Sequence, residues 1–151
     1  MGFITRTNKK GDTELSILIP DNWNLVLEDG GSLVFSTDAE RNNNALQIST
    51  LTFSEDKSSD LTEKKLIVEA KKLGERAKLG KPVKVESGSC QTGDFGSAIY
   101  EDKKDNKYLQ VWYISDGEIL TFATFMCEAS TPDEIKNQAG EIAKRVRVKK
   151  K

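Results

Sequence analysis

Asp116-Gly117 lies between two runs of β-forming residues, Lys107–Ser115 and Glu118–Ala129, and this feature limits the fold more than any other. Asp-Gly flanked by such runs is a strong hairpin signal, because a type I′ turn needs positive φ at both central residues. A two-residue turn there predicts that Ser115 faces Glu118, with Ile114 opposite Ile119, Trp112 opposite Thr121, Gln110 opposite Ala123 and Tyr108 opposite Phe125. Side chains alternate along a strand, so the other face pairs Tyr113 with Leu120, Val111 with Phe122 and Leu109 with Thr124. The second face is strongly apolar and the first is mixed. A hairpin carrying apolar groups on both faces is covered on both, which predicts a central position in its sheet. Val111, Tyr113, Leu120 and Phe122 are therefore expected to lie buried beneath a helix.

The remaining segments supply neighbours for this hairpin. Gly2–Asp12 is polar and reads as an irregular end. Thr13–Ile19 alternates and is stopped by Pro20, which cannot donate to a sheet ladder. Pro20-Asp21-Asn22-Trp23 is a turn that places a tryptophan. Leu25–Leu27 and Leu33–Phe35 flank Asp29-Gly30-Gly31, a second hairpin signal, and Ala45–Phe53 reads as a long strand. Asp60 and Glu63 open an amphipathic helix carrying Leu66, Ala70, Leu73 and Ala77, which Gly80 and Pro82 end. Val83–Val85 and Ser97–Tyr100 are strands. Thr131-Pro132-Asp133-Glu134 predicts a closing helix with Thr131 as its cap, proline at the first turn and a stripe of Ile135, Ala139, Ile142 and Val146. Strands with short connections and two amphipathic helices predict an α+β fold, an antiparallel sheet with helices packed on it as an α/β/α sandwich. The chain, residues 1–151, reads as a single domain with an ordered core from about 13 to 148.

Composition narrows the function. The 151 residues contain no histidine, which removes Ser-His-Asp and Cys-His catalysis and the commonest metal ligand. No phosphate-cradling glycine motif is present. Asp94-Phe95-Gly96 matches a kinase tripeptide in letters alone, and Asp102, Asp105 and Asn106 lack calcium-loop spacing, so a strand-end turn and a solvated loop are the readings adopted. No cofactor and no metal are expected. A net charge of −1 offers no global field for nucleic acid or anionic lipid, and the basic tail from Arg145 to Lys151 reads as a solvated end. No apolar run reaches membrane-spanning length and no signal-peptide core is seen, which predicts a cytoplasmic protein without membrane association. Cys90 and Cys127 have no nearby Cys or His, and Cys127 reads as a small buried hydrophobe.

The mixed sheet face is the strongest candidate for function. Gln47 and Ser49 alternate in phase with Leu51 and Phe53, while Gln110 and Thr121 share a face with Tyr108, Trp112 and Phe125. Brought to one side, Gln47, Ser49, Tyr108, Gln110 and Trp112 make a partner-binding surface of amides and hydroxyls between aromatics. The plainer reading is that the closing helix covers this face and its polar groups are satisfied internally.

Ile19-Pro20-Asp21-Asn22-Trp23, the strand Ala45-Leu46-Gln47-Ile48-Ser49, the amphipathic helix, Leu109-Gln110-Val111-Trp112-Tyr113 and the final strand before a closing helix carry a resemblance. Over Glu14 to Val148 the chain resembles PsbP-like domains, including DcrB-like proteins and type VI secretion effector chaperones. The resemblance implies a non-catalytic protein that binds another protein, in some members as a homodimer. It places no catalytic residue here. The expected function is a cytoplasmic protein-binding module: a chaperone, an adaptor or a toxin-neutralising partner. The alternatives are a small-ligand or lipid-binding domain with a cleft between helix and sheet, and a carboxylate-dependent hydrolase.

Overall fold

The structure is a computed structural model that describes residues 2–7, 13–29, 32–38, 43–52, 72, 80–117 and 119–150. The helix expected from Asp60 to Gly80 lies outside the described residues, save Lys72 and Gly80 themselves. Ten strands are described: β1 (Gly2–Thr7), β2 (Thr13–Ile19), β3 (Asn24–Asp29), β4 (Ser32–Ser36), β5 (Asn44–Thr52), β6 (Lys84–Ser89), β7 (Asp94–Asp102), β8 (Lys107–Ser115), β9 (Ile119–Cys127) and β10 (Arg147–Lys150). A helix, α1, spans Asp133–Lys144. Seven strands form one sheet in the order β3-β4-β5-β9-β8-β7-β6, and three form a second in the order β1-β2-β10. All pairings are antiparallel.

This corrects the expected α/β/α sandwich. Of the described residues 62% are strand and 12% helical, so the described part of the protein is mostly antiparallel β in two sheets. The missed element is the second sheet. Gly2–Thr7, read as an irregular end, pairs along its length with β2, from Gly2 opposite Ile19 to Thr7 opposite Glu14. The basic tail supplies the other edge, with Arg147 opposite Ser16 and Lys150 opposite Thr13. Leu15, Ile17 and Ile19 point inward from β2 and join the main core with Ala139, Ile142, Ala143 and Val146. One face of the large sheet is thus covered by a helix and a small sheet side by side.

The β8–β9 hairpin is central, as its two-sided apolarity requires. Its register differs from the two-residue turn expected at Asp116-Gly117. Ser115 pairs with Leu120, Trp112 with Ala123 and Tyr108 with Cys127, a shift of two residues along β9. Asp116 does not take a positive φ; Gly117 does, at 100°. The Asp116 carboxylate accepts the Ile119 N–H at 2.7 Å, and Ser115 Oγ accepts the Gly117 N–H at 3.2 Å. These local bonds hold Asp116 on the strand side of the turn. An even shift keeps every side chain on its expected face.

The mixed face forms the main core. Trp112, Phe125, Ile114, Ala123, Leu46, Ile48 and Phe35 are buried there. α1 presses close against it, with the Cβ position of Gly140 at 3.5 Å from Trp112 Cζ2. On the opposite face Val111 is buried, whereas Tyr113, Leu120 and Phe122 are only half-buried, short of the full burial expected. α1 also starts differently from expectation. Pro132 stands at its N-terminal boundary with no side-chain cap bond, and Pro132 O accepts the first helical N–H groups, from Ile135 at 3.1 Å and Lys136 at 3.3 Å.

Candidate functional site

The sheet register divides the predicted binding residues between two faces. Gln47 pairs with Thr124 and Ser49 with Phe122, while Leu46 and Ile48, the residues beside them, share the face of Phe125 and Ala123. Tyr108, Gln110 and Trp112 lie on this second face, under α1. The five residues therefore do not form one surface. Alternation sets the phase within each strand but not between strands, and the sequence leaves the relative phase of β5 and β8 open.

The three residues from β8 are enclosed. Tyr108 Oη donates to Gln110 Oε1 at 3.1 Å, and Gln110 Nε2 donates to Ser97 Oγ at 3.1 Å, so the amide is satisfied inside the fold. Burial pushes the Tyr108 hydroxyl from its ordinary 10.0 up to about 12, with Cys127 and the carboxylates of Glu101, Glu86 and Asp133 adding to the rise. Lys136 Nζ stands 4.6 Å from the centre of the Tyr108 ring and donates to Ala129 O at 2.8 Å. On the other face Gln47 is exposed, and the half-buried Ser49 shares a 2.7 Å hydroxyl contact with Ser32.

A different group of residues meets solvent with an anchor and a rim. Met126 is 61% exposed on the outward side of β9, directly between Ala45 of β5 and Leu109 of β8. Beside it lies a wide, open depression of about 470 Å³ lined by Asn43, Asn44, Ala45, Asp105, Asn106, Lys107, Met126, Cys127 and Glu128. Its rim is held in place. Asn106 takes a left-handed φ of 53°; its Oδ1 accepts the Ser130 N–H at 3.0 Å, its Nδ2 donates to Glu128 Oε2 at 3.2 Å and its backbone carbonyl accepts the Ala129 N–H at 3.1 Å. The β7–β8 turn is thereby tied to the segment leaving β9. At the other wall, Asn44 Oδ1 accepts the Thr37 N–H at 3.0 Å, and Ser36 Oγ meets Asn44 O at 2.7 Å.

The chemistry of this site is that of contact. Burial raises the Cys127 thiol above its ordinary value, against the opposing pull of a Thr131 hydrogen bond and Lys136, so the group stays a thiol at neutral pH and is a poor nucleophile. Cys90 and Cys127 are both free. Among the described residues no three of Cys, Asp and Glu gather into a metal-holding group. Sequence reasoning missed Met126 because it sits in a continuous β-forming run; the usable signal was its pairing position beside a small residue, which requires the sheet register.

No family model matches the sequence, and no curated protein matches it. Solved structures do. Cyanobacterial PsbP (CyanoP) from Synechocystis sp. PCC 6803 superimposes with a TM-score of 0.63 at 14% identity, over 97% of this chain and 92% of that one. LpqN of Mycobacterium tuberculosis, a protein involved in cell envelope biogenesis, gives 0.55 at 12% identity over 97% and 90%. A protein of Bacteroides thetaiotaomicron gives 0.58 at 16% identity over 91% of this chain, which spans 46% of that longer one. With the large sheet, its covering helix and a near full-length superposition on CyanoP in place, the fold of this protein is PsbP-like.

Proposed function

We propose that this protein is a non-catalytic module that binds another protein through the outward face of its sheet at the Met126 end. The carrying observation is Met126 itself: an unbranched apolar side chain, 61% exposed on a central strand, beside a depression with a polar rim. Methionine adapts its shape to a partner at little cost, and an apolar anchor ringed by hydrogen-bonding groups is the usual anatomy of a protein interface. The finer reading is a chaperone, adaptor or toxin-neutralising partner acting in the cytoplasm, with an apolar segment of the client covering Met126. Among the described residues no helix is long and apolar enough to cross a membrane. The small-ligand alternative needs a cleft between helix and sheet, and where α1 crosses Trp112 the two are in close contact, with the Gly140 Cβ position 3.5 Å from the ring.

The test is to select peptides from a displayed library against the full chain and to map the tightest by amide chemical shifts. Changes are expected at Asn43–Ala45, Asp105–Lys107 and Met126–Glu128. Met126→Lys should weaken binding by about tenfold or more at an unchanged melting temperature, since a charge then replaces the anchor. Shifts confined to other surfaces, or full affinity in Met126→Lys, would sink the proposal.

A further inference from the structure

Among the described residues the large sheet has two edge strands, and they differ. β3 is bulged between Leu25 and Leu27, and its Glu28 is held by Arg6 of β1 at 2.7 Å. Bulges and obstructed edges are how proteins block unwanted strand pairing. Over Lys84–Ser89 β6 has neither device. Its register with β7 is unbroken from Lys84–Ile99 to Ser89–Asp94, and among the described residues it is paired on that side alone. Val83 and Val85 are 60% and 37% exposed along it.

The direction of its free backbone groups can be read from the ladder. Cys90 N donates to Gly93 O at 2.8 Å, which continues the β6–β7 register as a hydrogen-bonded pair. Bonded and non-bonded pairs alternate in an antiparallel ladder. Gly88, Glu86 and Lys84 therefore bond toward β7, while Val85, Ser87 and Ser89 turn their N–H and C=O groups to the open side. On the same strand Lys84 Nζ and Glu86 Oε1 are 2.8 Å apart, one cation and one anion flanking Val85.

We infer that β6 pairs antiparallel with β6 of a second copy of this chain, about a twofold axis at Val85. That register is the one the charges select. Lys84 then faces Glu86 of the other copy, Glu86 faces its Lys84, and Val85 faces Val85. The two Val85 residues exchange both backbone bonds. Ser87 N–H reaches the Val83 carbonyl of the other copy, whose own N–H is already given to Ile99 at 2.7 Å. A twofold axis at Glu86 fails on both counts, since it sets carboxylate against carboxylate and uses backbone groups already bonded to β7. An axis at Ser87 sets Glu86 opposite Gly88 and pairs no charges. Opposite charges directly across a sheet attract and like charges repel, so Lys84 and Glu86 encode self-recognition. The contact is one strand wide and belongs to the weak class of interfaces, with Kd expected roughly between 10 µM and 1 mM. β7 and β8 separate this edge from Met126 on β9, so the inference is independent of the proposed binding surface.

Sedimentation equilibrium of the full chain, from about 10 µM to about 2 mM, tests it over the expected affinity range. Wild type should move from monomer to dimer. Val85→Pro removes an outward N–H without touching the β6–β7 ladder, so it should be monomeric with an unchanged melting temperature. Glu86→Lys sets lysines against each other at two symmetric positions and should weaken the dimer roughly tenfold or more. The double variant Lys84→Glu with Glu86→Lys restores opposite charges across the axis and should dimerise as wild type does. A wild type that stays monomeric, variants that dimerise equally well, or a double variant that remains weak would each overturn the inference.

Discussion

Trp112 Nε1 and Thr121 Oγ1 are both buried on the α1 side of the large sheet, and neither has a hydrogen-bond partner among the described residues. They share a face because Trp112 pairs with Ala123 and Ile114 with Thr121. A buried unpaired polar atom costs about 1–3 kcal/mol. For Trp112 the ring repays this by filling the centre of the core, where it is fully enclosed. Thr121 has no such compensation, and a methyl group in place of its hydroxyl needs no partner. Thr121→Val should therefore leave stability unchanged or raise it by about 1 kcal/mol in urea melts. Ser36 is as deeply buried, but its hydroxyl contacts Asn44 O at 2.7 Å and accepts the Asp38 N–H at 3.0 Å. Ser36→Ala should cost about 1–3 kcal/mol in the same experiment, and equal costs for the two variants would refute the distinction.

At the scale of elements, strand positions could be read closely from the sequence and the relations between strands only partly. The β8–β9 hairpin, its central place and the two faces of each strand follow from alternation. Its register did not, because side-chain bonds from Asp116 and Ser115 moved the turn by a residue, an effect outside any Asp-Gly rule. Pairing Gln47 with Gln110 across one face failed for a related reason: only hydrogen-bonded register decides which face of β5 matches which face of β8. The Pro20–Trp23 turn shows a signal read correctly but incompletely. It places Trp23 in the core, and Trp23 Nε1 donates to Gln138 Oε1 of α1 at 2.9 Å. The same oxygen accepts Asn22 Nδ2 at 2.9 Å, so one side chain fastens the turn to the helix. Gln138→Leu removes both bonds and should cost about 1–2 kcal/mol, whereas Gln138→Glu keeps the acceptor and should stay within about 0.5 kcal/mol of wild type. Chemical denaturation of the pair checks this, and equal losses would mean that the contact carries no stability.

Across the whole molecule, the two sheets contribute unequally to stability. The large sheet buries β5, β9 and β8 at its centre, with Leu46, Ile48, Phe125, Trp112 and Val111 all inaccessible to solvent. The small sheet enters that core through β2 and through Val146, which precedes β10. β1 contributes only the partly buried Ile4 to the core. Besides its ladder to β2, its side-chain ties include surface contacts: Arg6 to Glu28 at 2.7 Å, Thr5 to Ser16 at 3.1 Å, and the Arg147 guanidinium 5.3 Å from the Phe3 ring. Exposed ion pairs and hydroxyl contacts are each worth little, about 0–1 kcal/mol. This also explains why β1 was invisible in the sequence: a strand with one inward apolar residue has no period-two pattern, and only its neighbour specifies it. β1 should therefore open without the rest of the protein. Native-state hydrogen exchange should show the amides of β1 exchanging through a local opening several kcal/mol below global unfolding, while those of β9 and β5 exchange only when the whole molecule unfolds. Urea should leave the β1 opening free energy nearly constant and reduce that of β9, because a local opening exposes little new surface. Protection of β1 equal to that of β9, falling with the same urea slope, would show the two sheets to be a single cooperative unit.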